Sequence, residues 1–417
     1  DMVLTITHEG YIKRVPLSTY RAQRRGGKGR AGMRTRDEDF VDQVYVVNTH
    51  TPVLFFSSLG QVYKLKVYRL PLGTPQARGK AMVNVLPLSS GETISIILPL
   101  PEEENWPDLH IMLATASGNV RRNSLADFVN VKANGKIAMK LDDGDRLVGV
   151  TACSDDQDVL LATRTGKCIR FPVGDVRVFS GRTSTGVRGI RLADGDEIIS
   201  MSMLTHAAAE TTDQRDDYLR CASAARRLAS AEGAGEPANP EDEALAARLS
   251  DPAFEVMAEQ EEFILGVTND GFGKRTSAYE YRISGRGGSG IATMDLSRGA
   301  KVPDATIVGA FPVDPTDELV LVTNGGQIIR TPVSDIRIAG RSTRGVTLFR
   351  VDEDEEVVSV SRLDETDDDT EDAEASQGEV VSADEGPGGE VNAANDETDQ
   401  SGATLDNQGD DDPSDPQ

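Results

Sequence analysis

The chain has 417 residues, more than one small core holds, and predicts about two to four domains or one large repeat fold. No window approaches 18 apolar residues, which excludes a membrane-spanning helix. The net charge of −25 divides unevenly: residues 352–417 carry −24, residues 206–262 carry −9, and the remaining 294 carry +8. A basic body tethered to an acidic tail predicts a polyanion-binding surface with a built-in competitor.

The first residues, Asp1-Met2-Val3-Leu4-Thr5-Ile6-Thr7, have no basic leader and no apolar core, so they do not form a signal peptide. They read as a strand in a domain cut from something longer. They also open a repeat. The pattern Thr/Ser-x-x-Gly-x-x-x-Lys/Arg occurs as Thr7-Gly10-Arg14, Ser57-Gly60-Lys64, Thr115-Gly118-Arg122, Thr163-Gly166-Arg170, Thr268-Gly271-Arg275 and Thr323-Gly326-Arg330. The starts are 50, 58, 48, 105 and 55 residues apart. Apolar runs such as Val53-Leu54-Phe55-Phe56 and Val159-Leu160-Leu161-Ala162 precede the turns and β-formers follow them, so each copy predicts a hairpin. A second glycine lies about 22 residues past the Thr or Ser at Gly79, Gly186, Gly290 and Gly345, with Gly135 slightly early in the third copy.

Each unit of about 50 residues then supplies roughly four short strands, and no unit buries both sheet faces alone. The expected fold is all-β: a six-bladed, propeller-like disc over residues 1–363, with blades at roughly 2–50, 51–105, 108–155, 156–205, 263–315 and 316–362. The long gap holds an interruption. Tyr218, Leu219, Ala222, Ala225, Leu228 and Ala229 fall at helical spacing, Gly233 to Pro240 breaks the run, and Ala244, Leu245, Leu249, Phe254 and Met257 resume it. A helical hairpin is expected over 206–262, where its charge would repel a bound polyanion or dock on a basic blade. Residues 364–417 are rich in Asp, Glu, Ser, Gly and Asn and predict a disordered acidic tail.

Cys153, Cys168 and Cys221 lack CxxC spacing and read as reduced thiols of a cytoplasmic protein. His8, His50, His110 and His206 are scattered, so no metal site is expected. Asp142-Asp143 and Asp155-Asp156 fall in turn-like settings and read as solvated carboxylates.

The stretch Gln23-Arg24-Arg25-Gly26-Gly27-Lys28-Gly29, continuing through Arg30, sets glycines beside cations. Backbone N–H groups and side-chain charges can there approach a phosphate chain together. It is not a Walker A loop, because Lys28 is followed by Gly29 rather than by Ser or Thr. A flexible basic loop with no partner has the same composition. The repeat cations Arg14, Lys64, Arg122, Arg170, Arg275 and Arg330 occupy one equivalent position per unit. Arg78, Lys80, Arg182, Arg188, Arg286, Arg341 and Arg344 flank the second glycine. Together they predict a cationic belt that contacts phosphates without reading bases, weakly sequence-specific and strongly salt-dependent. Charges on exposed strands also prevent edge-to-edge pairing, a compatible role.

The heptapeptide Gln23–Gly29 matches the signature box of the C-terminal domain of bacterial DNA gyrase A, and the six hairpins resemble that family's six-bladed β-pinwheel. The resemblance covers roughly residues 2–205 and 263–362; the insertion at 206–262 and the length of the tail depart from it. It implies a bacterial, nucleoid-associated module, monomeric when isolated, that wraps double-stranded DNA with positive handedness. It implies as partners the rest of gyrase A, together with gyrase B, in an A2B2 heterotetramer whose negative supercoiling uses ATP and Mg²⁺. The domain itself needs no cofactor.

The family's catalytic tyrosine directly follows an arginine. The tyrosines here follow Gly10, Thr19, Val44, Val62, Val67, Asp217, Ala278 and Glu280, so this chain is expected to be non-catalytic alone. The topoisomerase IV counterpart shares the hairpin repeat but lacks the box or carries a degraded form. A protein-interaction propeller of Kelch or WD type would carry Trp-Asp or double-glycine signatures in each blade, and the single Trp106 argues against it.

Overall fold

The hairpin repeat is built by one hydroxyl and one glycine. Gly60 has φ +73°, its N–H donates to Ser57 O at 3.0 Å, and Ser57 Oγ accepts the N–H of Gln61 at 3.2 Å. Thr7, Thr115, Thr163, Thr268 and Thr323 accept in the same way from the residue four places on. The computed structural model describes residues 1–7, 9–19, 41–100, 106, 109–206, 211–235, 237–297, 305–325, 327–351 and 355–363. Gly326, the box at 23–29 with Arg30, and the expected tail at 364–417 lie outside the described residues.

Unit one holds β1 (Met2–Thr7), β2 (Tyr11–Pro16) and β3 (Val41–Val47). Unit two holds β4 (Pro52–Ser57), β5 (Gln61–Lys66), β6 (Lys80–Ala81) and β7 (Ile94–Pro99). Unit three holds β8 (His110–Thr115), β9 (Asn119–Ser124), β10 (Lys136–Ile137) and β11 (Leu147–Cys153). Unit four holds β12 (Gln157–Thr163), β13 (Lys167–Pro172), β14 (Val178–Phe179), β15 (Val187–Arg188) and β16 (Ile198–Thr205). The insertion carries α1 (Thr212–Ala234), α2 (Pro240–Ala247) and α3 (Pro252–Glu259). Unit five holds β17 (Phe263–Thr268), β18 (Phe272–Ser277), β19 (Ile291–Ala292) and β20 (Ile307–Val313), and unit six β21 (Glu318–Thr323), β22 (Ile328–Pro332), β23 (Val346–Thr347) and β24 (Val357–Leu363).

The strands do not stay within their units. The sheet orders are β3-β1-β2-β6, β10-β5-β4-β7, β11-β8-β9-β14 with β15 also on β9, β16-β12-β13-β19, β20-β17-β18-β23 and β22-β21-β24. The outermost strand of each of the first five sheets therefore comes from the following unit. Units two to six hold four or five strands each and give one of them, or two in unit four, to the preceding sheet, while unit one holds three among the described residues. The sixth sheet has three strands among the described residues, and β22 is its outer edge.

The second glycine begins this exchange. A Cβ on Gly186 would lie 2.3 Å from Val120 O, so only glycine lets the donated strand approach β9 so closely.

The centre strands β1 and β4 are buried along their whole length, and a neighbouring sheet covers each face of β4. Val53 and Phe55 of β4 pack with Leu4 and Ile12 of the first sheet, whereas Leu54 and Phe56 pack with Ile111 and Leu113 of the third. Two-residue periodicity thus divides each apolar run between two seams, and each large buried side chain contributes about 1.5–3 kcal/mol. Further seams join sheets three to four, four to five and five to six. The strands β7, β11, β16, β20 and β24 are successive neighbours, and β24 also lies beside β3. Tyr45 of β3 donates its hydroxyl proton to Ile97 O of β7 at 3.1 Å. Six sheets therefore surround one axis.

The insertion holds three helices where a two-helix hairpin is expected. Asp251 caps α3, Pro252 starts it, and the turn at Arg248–Ser250 ends α2 early. Among the described residues apolar packing, rather than an ion pair with a basic blade, holds the insertion on unit five. Tyr218, Cys221, Phe254 and Met257 enclose Tyr279 of unit five, whose hydroxyl donates to Met257 O at 2.9 Å.

Candidate nucleic-acid interface

The repeat cations are not an open belt. Arg14 Nε donates to Leu70 O at 2.8 Å and its Nη2 to Tyr68 O at 3.1 Å. Arg275 makes the same pair of bonds to Ile336 O at 2.7 Å and Ser334 O at 3.1 Å. Lys64 reaches Val129 O and lies 5.4 Å from the Trp106 ring centroid. Arg170 binds Asp158 at 2.8 Å, Ala278 O at 2.8 Å and Thr205 O at 2.7 Å. In these four cases the cation grips the 3-10 turn that starts the next unit's exchanged segment, satisfying carbonyls left free at a turn end. Arg122 is buried too, between Asp155 at 2.7 Å and His110 Nδ1 at 3.1 Å. Its guanidinium holds the Asp155 carboxyl below the usual carboxylate range, so that carboxylate is ion-paired rather than merely solvated.

Arg330 differs. It pairs with Glu318 of its own hairpin and remains 65% exposed, since no following turn covers it among the described residues. The belt expected from the repeat position is therefore corrected: Arg122, Arg170 and Arg275 are buried, Arg14 and Lys64 are half-buried, and Arg330 alone is exposed.

The residue before the repeat cation was missed by sequence reading. Lys13 is buried and donates Nζ to Thr74 O at 3.2 Å, to Ala77 O at 3.0 Å and to Pro75 O. Lys274 donates to Gly340, Arg341 and Thr343 oxygens, each at 2.7 Å. Arg121 donates to Ser184 O at 2.6 Å. Burial lowers the Lys13 ammonium and takes Lys274 down to about 8. These cations are caged inside the exchanged loops and have no face for a phosphate. Their signal was a second cation directly before the repeat cation, in Lys13-Arg14, Arg121-Arg122 and Lys274-Arg275.

The cations flanking the second glycine divide. Lys80, Arg188 and Arg286 are exposed. Arg286 donates Nε to Asp175 O at 3.0 Å and Nη1 to Arg188 O at 3.1 Å, tying one exchanged loop to the next. Arg78, Arg182, Arg341 and Arg344 are half-buried. Arg78 lies 3.8 Å over the Tyr11 ring and pairs with Glu9 at 3.0 Å, and Arg182 donates to Asp127 O at 2.7 Å. Arg341 reaches Ala292 O, and Arg344 pairs with Asp270 over the Phe272 ring at 4.2 Å.

A second exposed set was not singled out from sequence. Arg177, Arg282 and Arg337 hold the same place after the turn in units four, five and six, in Val176-Arg177-Val178, Tyr281-Arg282-Ile283 and Ile336-Arg337-Ile338. The preceding Val176, Tyr281 and Ile336 are buried, which fixes each arginine outward. The outer edge is thus cationic, but its charges come chiefly from exchanged loops.

The cleft between α1 and unit five, ≈ 620 Å³, contains Arg215, Arg220, Arg227 and Arg341. Arg215 pairs with Asp216, Arg220 with Asp217 and Arg227 with Asp242, so these charges are already neutralised. Cys153, Cys168 and Cys221 are buried free thiols. Among the described residues no group of His, Cys, Asp or Glu is placed to hold a metal, and no helix is long and apolar enough to cross a membrane.

A family model described as the DNA gyrase C-terminal domain, beta-propeller, matches residues 1–48, 51–101, 109–154, 157–204, 262–314 and 317–364. The chain belongs to the DNA gyrase C-terminal domain family. The matched segments skip residues 205–261, where this gyrase domain carries its helices. The DNA gyrase A protein of Rickettsia bellii is 52% identical over 384 residues, covering 91% of this chain and 41% of the relative. The Escherichia coli gyrase A protein is 37% identical over 383 residues, covering 91% of this chain and 37% of the relative. The chain thus spans about two fifths of the curated relatives' length. The C-terminal domain of DNA topoisomerase IV superposes with TM-score 0.65 at 20% identity, covering 87% of this chain and 93% of that one. The DNA gyrase A C-terminal domain superposes with TM-score 0.57 at 22% identity, covering 87% and 99%. The fold is shared by both, so sequence rather than shape separates gyrase from its paralogue.

Proposed function

We propose that this gyrase domain binds duplex DNA along its outer edge and wraps it. It thereby serves the remainder of gyrase A, together with gyrase B, in an A2B2 enzyme whose ATP and Mg²⁺ chemistry lies outside this chain. The observation that carries this reading is the repetition of exposed Arg177, Arg282 and Arg337 at one place in three successive units. Lys80, Arg188, Arg286 and Arg330 add to that edge, and Gln23, Arg24, Arg25, Gly26, Gly27, Lys28, Gly29 and Arg30 are proposed to complete it. By position in the repeat, the box occupies the stretch that other units send to a neighbouring sheet, so a second role in closing the ring is proposed for it. Contacts of this kind reach phosphates and leave base edges unread.

Hydroxyl-radical footprinting on a duplex of about 150 base pairs, one persistence length, tests the reading. Protection recurring about every 10–10.5 base pairs is expected. A single unbroken footprint would leave adhesion without wrapping. Replacing Arg177, Arg282 and Arg337 by alanine should reduce the slope of log K against log salt by about 2.7, at about 0.9 per lost phosphate contact. An unchanged slope would remove these arginines from the path.

The tail is proposed to compete with DNA. With −24 on residues 352–417 it presents a polyanion at an effective concentration on the order of millimolar. Truncation before Asp364 should tighten DNA binding at low salt, with the gain fading as salt rises. Identical titrations of truncated and intact chains across salt concentrations would dismiss the competition.

A further inference from the structure

Three arginines stand four residues before a second glycine: Arg182 before Gly186, Arg286 before Gly290 and Arg341 before Gly345. Each reaches sideways, to the exchanged segment of the preceding unit. Arg182 Nη1 donates to Asp127 O of unit three at 2.7 Å. Arg286 donates Nε to Asp175 O at 3.0 Å and Nη1 to Arg188 O at 3.1 Å, both in unit four. The Arg341 backbone N–H donates to Glu280 Oε2 of unit five at 2.6 Å, and its guanidinium reaches Ala292 O. Backbone bonds run alongside: Gly287 N–H to Gly189 O at 2.6 Å, Arg191 N–H to Gly288 O at 2.8 Å and Asp295 N–H to Thr343 O at 3.2 Å.

What is gripped is the same place each time. Asp127, Asp175 and Glu280 are the third residues of the 3-10 turns Leu125–Phe128, Val173–Asp175 and Ala278–Glu280. Asp175 stands two residues before the outward Arg177, and Glu280 two before Arg282. Each grip therefore fixes the base of an outward cation. Pro75 and Val131 hold the corresponding place in units two and three, so the series joins the exchanged segments of units three to six. A bent duplex straightens if the loops that hold its phosphates can shift. Arg182 and Arg341 are half-buried, and their bonds go to protein oxygens.

We infer that Arg182, Arg286 and Arg341 are positioning residues that lock the exchanged segments of units three to six into one rigid arc and hold Arg177 and Arg282 at fixed spacing along the duplex. The inference rests on the DNA-wrapping reading. It assigns curvature to the lateral clasps, while the outward arginines supply attraction.

The test uses the full chain with Arg182→Lys, Arg286→Lys and Arg341→Lys combined. Lysine keeps each positive charge, but it is a point donor and does not bridge two carbonyls as the planar guanidinium does. Phosphate contacts would survive this exchange, and the clasps would not. Amide hydrogen exchange at Gly287 and Arg191 should become about tenfold faster or more, because the bonds beside Arg286 open locally. The linking-number shift on ligated nicked circles should fall by about half or more, with affinity within about threefold of the parent and an unchanged salt slope. Arg286→Lys alone, at an exposed position, should speed the same two amides to the same extent and serves if the combined chain does not fold. An unchanged shift or unchanged exchange overturns the clasp role. So does a reduced salt slope with affinity lost in step with the shift, which would make these arginines phosphate contacts. A parent chain that produces no shift would instead refute the wrapping reading, while the exchange rates still decide whether the segments are locked.

Discussion

Replacing Arg24, Arg25 and Lys28 together by alanine is expected to abolish the linking-number shift that this gyrase domain imposes on a ligated circle. Binding should weaken only in part. The box contributes three of the cations proposed for the path, and Arg177, Arg282 and Arg337 still attract phosphate from three other units. Bending a duplex of about 20–30 base pairs through 40–90° costs on the order of 1–6 kcal/mol. A full turn around six sheets therefore requires contact through most of the circuit. If one sector is lost, DNA can adhere to the rest without closing its path, and topology registers closure where affinity does not. The measurement is topoisomer analysis after ligation, with affinities taken at several salt concentrations. A preserved shift would take the box out of the mechanism.

The second large effect is on stability. Arg170→Ala should lower the unfolding free energy by about 3–5 kcal/mol, the cost of leaving a buried charge without its partner. Arg170 and Asp158 are both buried, and the guanidinium also holds Ala278 O of the next unit and Thr205 O at the entry to the insertion. Denaturant unfolding measures the loss, and Arg170→Ala with Asp158→Asn should recover part of it. His206 Nδ1 lies 2.7 Å from Asp158 and remains as its neighbour in the variant. Arg330→Ala at the same place in the motif should cost at most about 1 kcal/mol, because its pair with Glu318 is exposed. Equal losses at the two positions would contradict the gripping role.

That contrast shows how far the residues could be read unaided. Thr163-x-x-Gly166 announced its hairpin because one hydroxyl and one left-handed residue make the turn without help from elsewhere. The six units and the helical interruption were legible for the same reason, as local periodicity. The exchange of strands was not. The strands β6, β10, β19 and β23 are two residues long, and β6 pairs with residues about 70 positions earlier, so neither propensity nor pattern marks them. Arg170 and Arg330 stand in the same motif, and only the turn of a following unit makes the first a buried clasp. Arg177, Arg282 and Arg337 carried a visible sign, an arginine between two apolar residues after a turn, but composition alone does not separate them from the glycine-flanking cations.

The donated outer strands also decide how the ring responds to force. Stiff DNA held in a curve pulls outward on whatever holds it. A pull on β14 is passed at once to β9 of the preceding sheet through backbone hydrogen bonds, and through the chain to β13 in its own. Tension applied at one sector is thus shared by two, as in a hoop whose staves overlap. Deleting a single unit would strip an edge from its predecessor as well as removing its own hairpin, so the number of units can change only where both breaks are repaired together.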